Sequence, residues 1–224
     1  MLKVIILILT YLLVNIRISS GVEKIIMLPE PQRISNFSLE EALQKRRSRR
    51  NYSGEPISLE QLSQLLWSAY GITKVPFYKT VPSAGACYPM TIYVSVVKVK
   101  GLKSGFYQYI PKEHQLELIS TDNFTDQIYT CGYNQGCLRN QAITILMSAD
   151  FDKITTRYGK RAYRYTYMEA GHISQNIYLQ TESLDLATVA VGAYDEETLN
   201  KILPIPNKED IIYLMPVGKK RTIK

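Results

Sequence analysis

The run Ala142-Ile143-Thr144-Ile145-Leu146-Met147-Ser148-Ala149 constrains the fold more than any other stretch of this chain. It is nearly all apolar and lacks the alternation of a half-exposed strand, so it reads as a strand buried on both faces. A sheet built around such a strand needs a covering layer on each side. The rest of the chain offers helices for those layers. Ser38 and Glu41 open a short helix at about 38–47 as a capping box, and Ser58 with Gln61 opens a second. That second helix carries Leu62, Leu65, Leu66 and Ala69 on one face and ends at Gly71. Residues 124–138 read as another helix, 162–184 as a long one and 196–202 as a short one. Further strands are predicted at 91–97, 186–191 and 211–217, with a hairpin over 105–119 turning at Pro111-Lys112-Glu113-His114. The pattern predicts a single α+β domain.

The N-terminus is a separate object. Lys3 precedes an apolar run from Val4 to Ile16, followed by Arg17 and Ile18-Ser19-Ser20-Gly21. A spanning helix needs roughly 20 apolar residues, and this run is shorter. A basic start, a short apolar core and a small-residue end match a secretory signal. An uncleaved anchor and a buried strand or helix are the alternatives. Residues 1–24 are set apart as signal peptide or N-terminal membrane anchor, leaving 25–224 as the folded domain. The expectation is export or anchoring through residues 1–20, or a cytoplasmic location if that segment is no signal. In an oxidising compartment Cys131 and Cys137 would matter. Six apart on one helix they lie on different faces and cannot bridge, so they read as small core residues. The sequons at Asn36, Asn51 and Asn123 are common triplets and carry little weight.

Chemistry concentrates in four places. Lys45-Arg46-Arg47-Ser48-Arg49-Arg50 sets five cations around one hydroxyl. Arginine's planar fork matches a phosphate and serine adds a donor, so the cluster reads as half a phosphate site, against a solvated charge run. Pro82-Ser83-Ala84-Gly85-Ala86 is a loop of small residues through which backbone can approach a flat ligand. Val191-Gly192-Ala193-Tyr194 ends a buried strand on small residues, and Gly218-Lys219-Lys220-Arg221 adds cations after the last strand. The net charge of +7 favours an anionic partner. Two histidines and three cysteines without zinc spacing exclude an evident zinc site. Glu169 and His172 share a helix face, but a carboxylate-bridged metal pair needs a second Glu-x-x-His that the chain lacks. A polar contact to a cofactor, a neighbouring subunit or a buried network is the better reading of Glu169, with Asn176 on the same face.

In their order, these motifs resemble the FMN-dependent nitroreductase superfamily, and within it the SagB-type dehydrogenases. Arg46 to Tyr52 is similar to the family's opening arginine/serine motif. Pro82-Ser83-Ala84-Gly85-Ala86-Cys87-Tyr88-Pro89 is similar to the loop of SagB-type members that runs under the flavin. Glu169 to Leu179 resembles the central helix, Thr188 to Asp195 the strand and loop over the isoalloxazine, and Pro216-Val217-Gly218-Lys219 the terminal strand with its phosphate-side lysine.

The resemblance implies a nitroreductase-like fold: a mixed, mostly antiparallel sheet flanked by helices, with FMN at a dimer interface. It implies cofactor binding by Arg46, Arg47, Ser48, Arg50, Ser83, Ala84, Gly85, Ala86, Gly192, Ala193, Lys219 and Lys220, no metal, and a homodimer. Arg49 is out of phase with Arg46, Ser48 and Arg50 and reads as a surface or dimer contact. Azoline-oxidising members carry a Lys-Tyr pair before the central helix that is implicated in proton abstraction. Arg157-Tyr158 stands there in this chain. Tyrosine can exchange a proton, whereas arginine stays protonated and is no base.

The implied activity is hydride transfer between flavin and a small-molecule or peptide substrate or NAD(P)H, and no nucleic-acid partner is expected. The alternatives are an anion-binding module for nucleic acid or membrane, or a protein of flavin binding or metabolism. The first predicts steeply salt-dependent binding.

Overall fold

The computed structural model of the protein describes residues 24–74 and 78–221. The N-terminal apolar run falls outside them. Among the described residues no helix is long and apolar enough to cross a membrane.

The strands are β1 (Ile25–Met27), β2 (Ile72–Lys74), β3 (Tyr78–Lys79), β4 (Met90–Val96), β5 (Gly105–Ile110), β6 (Gln115–Ser120), β7 (Ile143–Ala149), β8 (Leu186–Thr188) and β9 (Asp210–Lys219). The helices are α1 (Leu39–Lys45), α2 (Leu59–Tyr70), α3 (Thr125–Cys131), α4 (Asp152–Tyr158), α5 (Arg161–Ser183) and α6 (Glu196–Ile202). Seven strands form one sheet in the order β1-β6-β5-β4-β7-β9-β8, and β2 pairs with β3 apart from it. Among the described residues every strand pair is antiparallel, and the one parallel contact, Ile57 with Val99, is an isolated bridge.

The apolar run is β7, and all seven of its residues are buried. Its two faces feed two separate cores. Ile143, Ile145, Met147 and Ala149 pack with Leu62, Leu65 and Leu66 of α2 and with Ala170, Ile173 and Ile177 of α5. Leu146 faces the other way, toward Ile128 of α3, Leu138 and Leu199 of α6. Each buried aliphatic side chain is worth about 1.5–3 kcal/mol, so both layers are needed to hold the strand. The second face also buries a carboxylate. Glu209 accepts from Thr91 (3.1 Å), Tyr93 (3.0 Å) and Ser148 (2.6 Å), which ties the approach to β9 onto β4 and β7.

Three predicted elements differ. The helix over 124–138 ends at Cys131; the chain turns through left-handed Tyr133 and Asn134 into a single 3₁₀ turn, Gly136–Leu138. Cys131 and Cys137 therefore do not share a helix, yet both are free thiols in the same core. Burial pushes both thiols up, which keeps them protonated and inert. The strand over 186–191 stops at Thr188, because the Ala190 N–H turns to the Tyr178 hydroxyl (2.8 Å) instead of a strand partner. Only half of the first capping box forms: Ser38 accepts from Glu41 N–H, while the Glu41 carboxylate pairs with Lys45. The box at Ser58 and Gln61 is complete.

Candidate active site

Helix α5 organises the site. It is 23 residues long, roughly 34 Å at 1.5 Å per residue. Asn176 fixes its position by donating to the carbonyls of Ser68 (3.0 Å) and Thr80 (3.2 Å).

Near its C-terminal end the basic cluster closes on the helix. Helix α1 stops at Lys45, so Arg46 to Arg50 run as extended chain and their side chains alternate. The Arg46 guanidinium stands over the Tyr178 ring, 5.3 Å from its centre. Ser48 Oγ lies 3.0 Å from Tyr178 Oη, the same oxygen that takes the Ala190 N–H. Tyr178 thus joins the cluster to the turn carrying Gly192 and Ala193. Both of those residues are exposed, and the Ala193 carbonyl accepts from Gln135 (2.9 Å).

Not every cation in the cluster is free for a ligand. Glu182, also on α5, is 2% exposed and holds both Arg49 and Lys220 (2.9 Å). Arg47 folds back onto the carbonyls of Gln44 (3.0 Å) and Arg46 (2.7 Å). Arg49, expected as a surface or dimer contact, is thus an internal partner of a buried carboxylate. Lys220 is engaged in the same ion pair and by Asp185 (3.5 Å). Among the described residues Arg50 makes no ion pair, the Arg46 guanidinium makes only its ring contact, and Lys219 pairs with exposed Glu55 (3.5 Å). Gly218 admits this arrangement: a methyl group there would sit 2.7 Å from the ring of Tyr52, which follows the cluster and packs against β9.

The small-residue loop meets α5 nearer its N-terminal end. Gly85, Ala86 and Tyr88 all have left-handed backbone, with φ of 58°, 54° and 47°. For the two non-glycines this costs about 1–3 kcal/mol each, and such strain gathers at ligand sites. Ser83 braces the loop by accepting the Tyr88 N–H (2.9 Å). Arg157 and Tyr158, at the end of α4, press on Gly85. Arg157 donates to the Gly85 carbonyl (2.9 Å), and a methyl group on Gly85 would lie 2.5 Å from Tyr158 Oη. The structure thus brings the expected catalytic pair against the expected cofactor loop.

Between Ser83-Ala84 and the α5 residues Tyr165, Glu169 and His172 lies a hollow of about 280 Å³. Glu169 is 1% exposed. Its Oε1 accepts from Tyr70 (2.8 Å), and its Oε2 has no hydrogen-bond partner among the described residues. Burial raises its carboxyl above the ordinary range, while Ser83, Tyr70, Lys79 and His172 pull the other way. Lys79 Nζ stands 3.4 Å from the centre of the Tyr70 ring and 4.8 Å from that of Tyr88. Burial lowers its ammonium to about 8. Sequence reasoning missed Lys79 and Tyr70. One lies in a hairpin and the other at a helix end, and neither belongs to a recognisable motif.

The description of the nitroreductase family fits residues 43–219, which spans both halves of this site. The chain belongs to the nitroreductase family. It is 42% identical over 195 residues to a nitroreductase-like protein of Methanocaldococcus jannaschii, covering 87% of this chain and 96% of that one. It is 24% identical over 163 residues to the microcin B17-processing protein McbC of Escherichia coli, covering 68% of this chain and 58% of McbC. The crystal structure of a nitroreductase-like protein from Ralstonia eutropha superposes with a TM-score of 0.79 at 25% identity, over 90% of this chain and 91% of the other. As a nitroreductase-family protein the chain is an oxidoreductase. The McbC relationship supports the SagB-type branch.

Proposed function

We propose that the chain is an FMN-dependent oxidoreductase that moves electrons between NAD(P)H and an organic small-molecule or peptide substrate. The observation that carries this reading is the convergence of Arg46 and Ser48 on Tyr178, with the Gly192 turn joined to the same hydroxyl. Arg46 and Arg50 make no ion pair among the described residues and Lys219 pairs with exposed Glu55, so with the Ser48 hydroxyl these three suit a phosphate and its attached polyol chain. FMN, when bound, supplies the electron-accepting ring. Ser83 to Ala86 and Gly192-Ala193 present small side chains and exposed backbone to a flat ligand.

The two halves of the site lie on opposite faces of α5. The nine-residue step from Glu169 to Tyr178 is about 13 Å along the axis and half a turn around it. Two halves so placed suit a ligand held between two protomers. A homodimer would join the phosphate half of one protomer to the loop half of its partner.

The purified chain reconstituted with FMN should be yellow, and the colour should weaken in Arg46→Ala and Arg50→Ala. Colourless protein after reconstitution would overturn the assignment.

A further inference from the structure

Reduction of an organic acceptor consumes protons as well as electrons, and a proton source must touch the acceptor. At the loop half of the site Arg157 cannot serve, because a guanidinium does not give up its proton in a protein. The hollow against Ser83 and Ala84 offers a different group. Glu169 lines it, is almost fully buried, and keeps one carboxylate oxygen without a hydrogen-bond partner among the described residues. A buried acceptor left open costs about 1–3 kcal/mol, more when charged, so an unfilled one in a cavity wall points to a ligand. Behind it, Tyr70 anchors Oε1 and Lys79 is stacked over the Tyr70 and Tyr88 rings. That stacking holds a cation beside the carboxylate without a direct ion pair.

We propose that Glu169 is the proton donor to an organic acceptor held in this hollow, and that Lys79 is a positioning residue that sets the charge state of Glu169. The proposal rests on the FMN-dependent reading above. In the step, the Glu169 O–H bond breaks and an O–H bond forms on the acceptor oxygen. The electrons of the broken bond stay on the carboxylate. The hydride of NADH, passed on through FMN when it is bound, carries both electrons and the acceptor's second hydrogen, and solvent returns the proton to Glu169. The groups facing the pair are Tyr70 from α2, Ser83 and Tyr88 from the loop, His172 from α5, and Lys153 from α4, which acts on Lys79. Burial raises the Glu169 carboxyl and opposes the nearby cations. The acid form is therefore available above the ordinary carboxylate range.

The test uses the full chain loaded with FMN, NADH as reductant and menadione, a quinone, as acceptor. Quinone reduction should fall as pH rises through the Glu169 titration. Glu169→Gln should retain its flavin, lose that limb and turn over at least about 100-fold more slowly, while Glu169→Asp restores the limb. Lys79→Met removes a charge that favours the carboxylate, so the limb moves to higher pH. An infrared pH titration gives a readout that needs no turnover. The band of a protonated carboxylic acid should titrate above the ordinary range, vanish in Glu169→Gln and shift upward in Lys79→Met.

A Glu169→Gln protein with full flavin content and an unchanged limb overturns the proposal and leaves the FMN assignment standing. A wild-type chain that takes up no FMN overturns that assignment. The infrared titration then decides on Glu169 alone, and absence of the titrating acid overturns the proposal too. If Glu169→Gln does not fold, a limb that moves in neither Glu169→Asp nor Lys79→Met overturns it.

Discussion

Glu182 and Glu169 sit on the same helix, and both are almost completely buried, yet they meet opposite surroundings. Glu182 is saturated: Arg49 and Lys220 pair with it, and the Arg47 N–H points at it (3.4 Å). Glu169 has one hydrogen bond, from neutral Tyr70, with the Ser83 hydroxyl nearby, an oxygen without a partner among the described residues, and a cation held off on two aromatic rings. The first arrangement closes structure. It fixes the shape of the basic cluster and uses part of its charge, so that Arg46, Ser48 and Arg50 stand in a defined order. The second leaves a polar group unsatisfied beside a hollow, where a ligand can complete it. A run of positive charge in a sequence can thus be mostly scaffold, with its ligand-facing members picked out only by what the others are bound to.

The comparison breaks most sharply at Glu182. Glu182→Gln strands two partly buried cations and should cost about 3–5 kcal/mol, read as a lowered urea midpoint with an unchanged slope. If the loss is near zero, the pair is surface charge. Arg46→Ala and Arg50→Ala should behave the other way. Each should weaken FMN binding by about 1.5–3 kcal/mol, measured by quenching of flavin fluorescence, with stability held within about 0.5 kcal/mol. Gly85→Ala combines left-handed backbone with a collision against Tyr158 and Arg157, so a cost of about 1–3 kcal/mol and displaced flavin absorption are expected.

The smallest effect sharpens the Glu169 side. Lys79 titrates at about 8 in the fold and near 10.5 when unfolded, so its burial opposes folding below pH 8 and ceases to matter above 10.5. Lys79→Met should therefore stabilise the protein by about 1 kcal/mol near neutrality, with the gain fading across that window in denaturation series at several pH values. A gain that persists at high pH would mean that better packing, not charge, is responsible.

The framework of the fold was legible because it rests on local signals. Apolar β7, the Ser58–Gln61 box and the face of Leu62, Leu65 and Leu66 all reappear where their patterns place them. The family match rests on motif order, which a single sequence also displays. What stayed hidden depends on distant partners. Nothing near Arg49 announces Glu182, and nothing near Lys79 announces Tyr70 and Tyr88. The break after Cys131 has local signals in Gly132, Asn134 and Gly136, and only Tyr133 carries no warning of left-handed backbone. Strand β8 fell short because a side-chain hydroxyl from α5 outcompeted the sheet for one N–H.

Tyr52 packs against Gly218 and bridges to Lys220, and the Ser53 N–H bonds to the Lys219 carbonyl (3.1 Å). The arginine cluster thus takes its form against a strand that lies far along the chain from it. A nascent chain emerging from the ribosome has its first cations long before it has the strand that shapes them. Loop closure over so long a separation is slow. The cluster therefore gains its shape only once β9 has been made, and a variant lacking β9 should leave Arg46, Ser48 and Arg50 without their ordered arrangement.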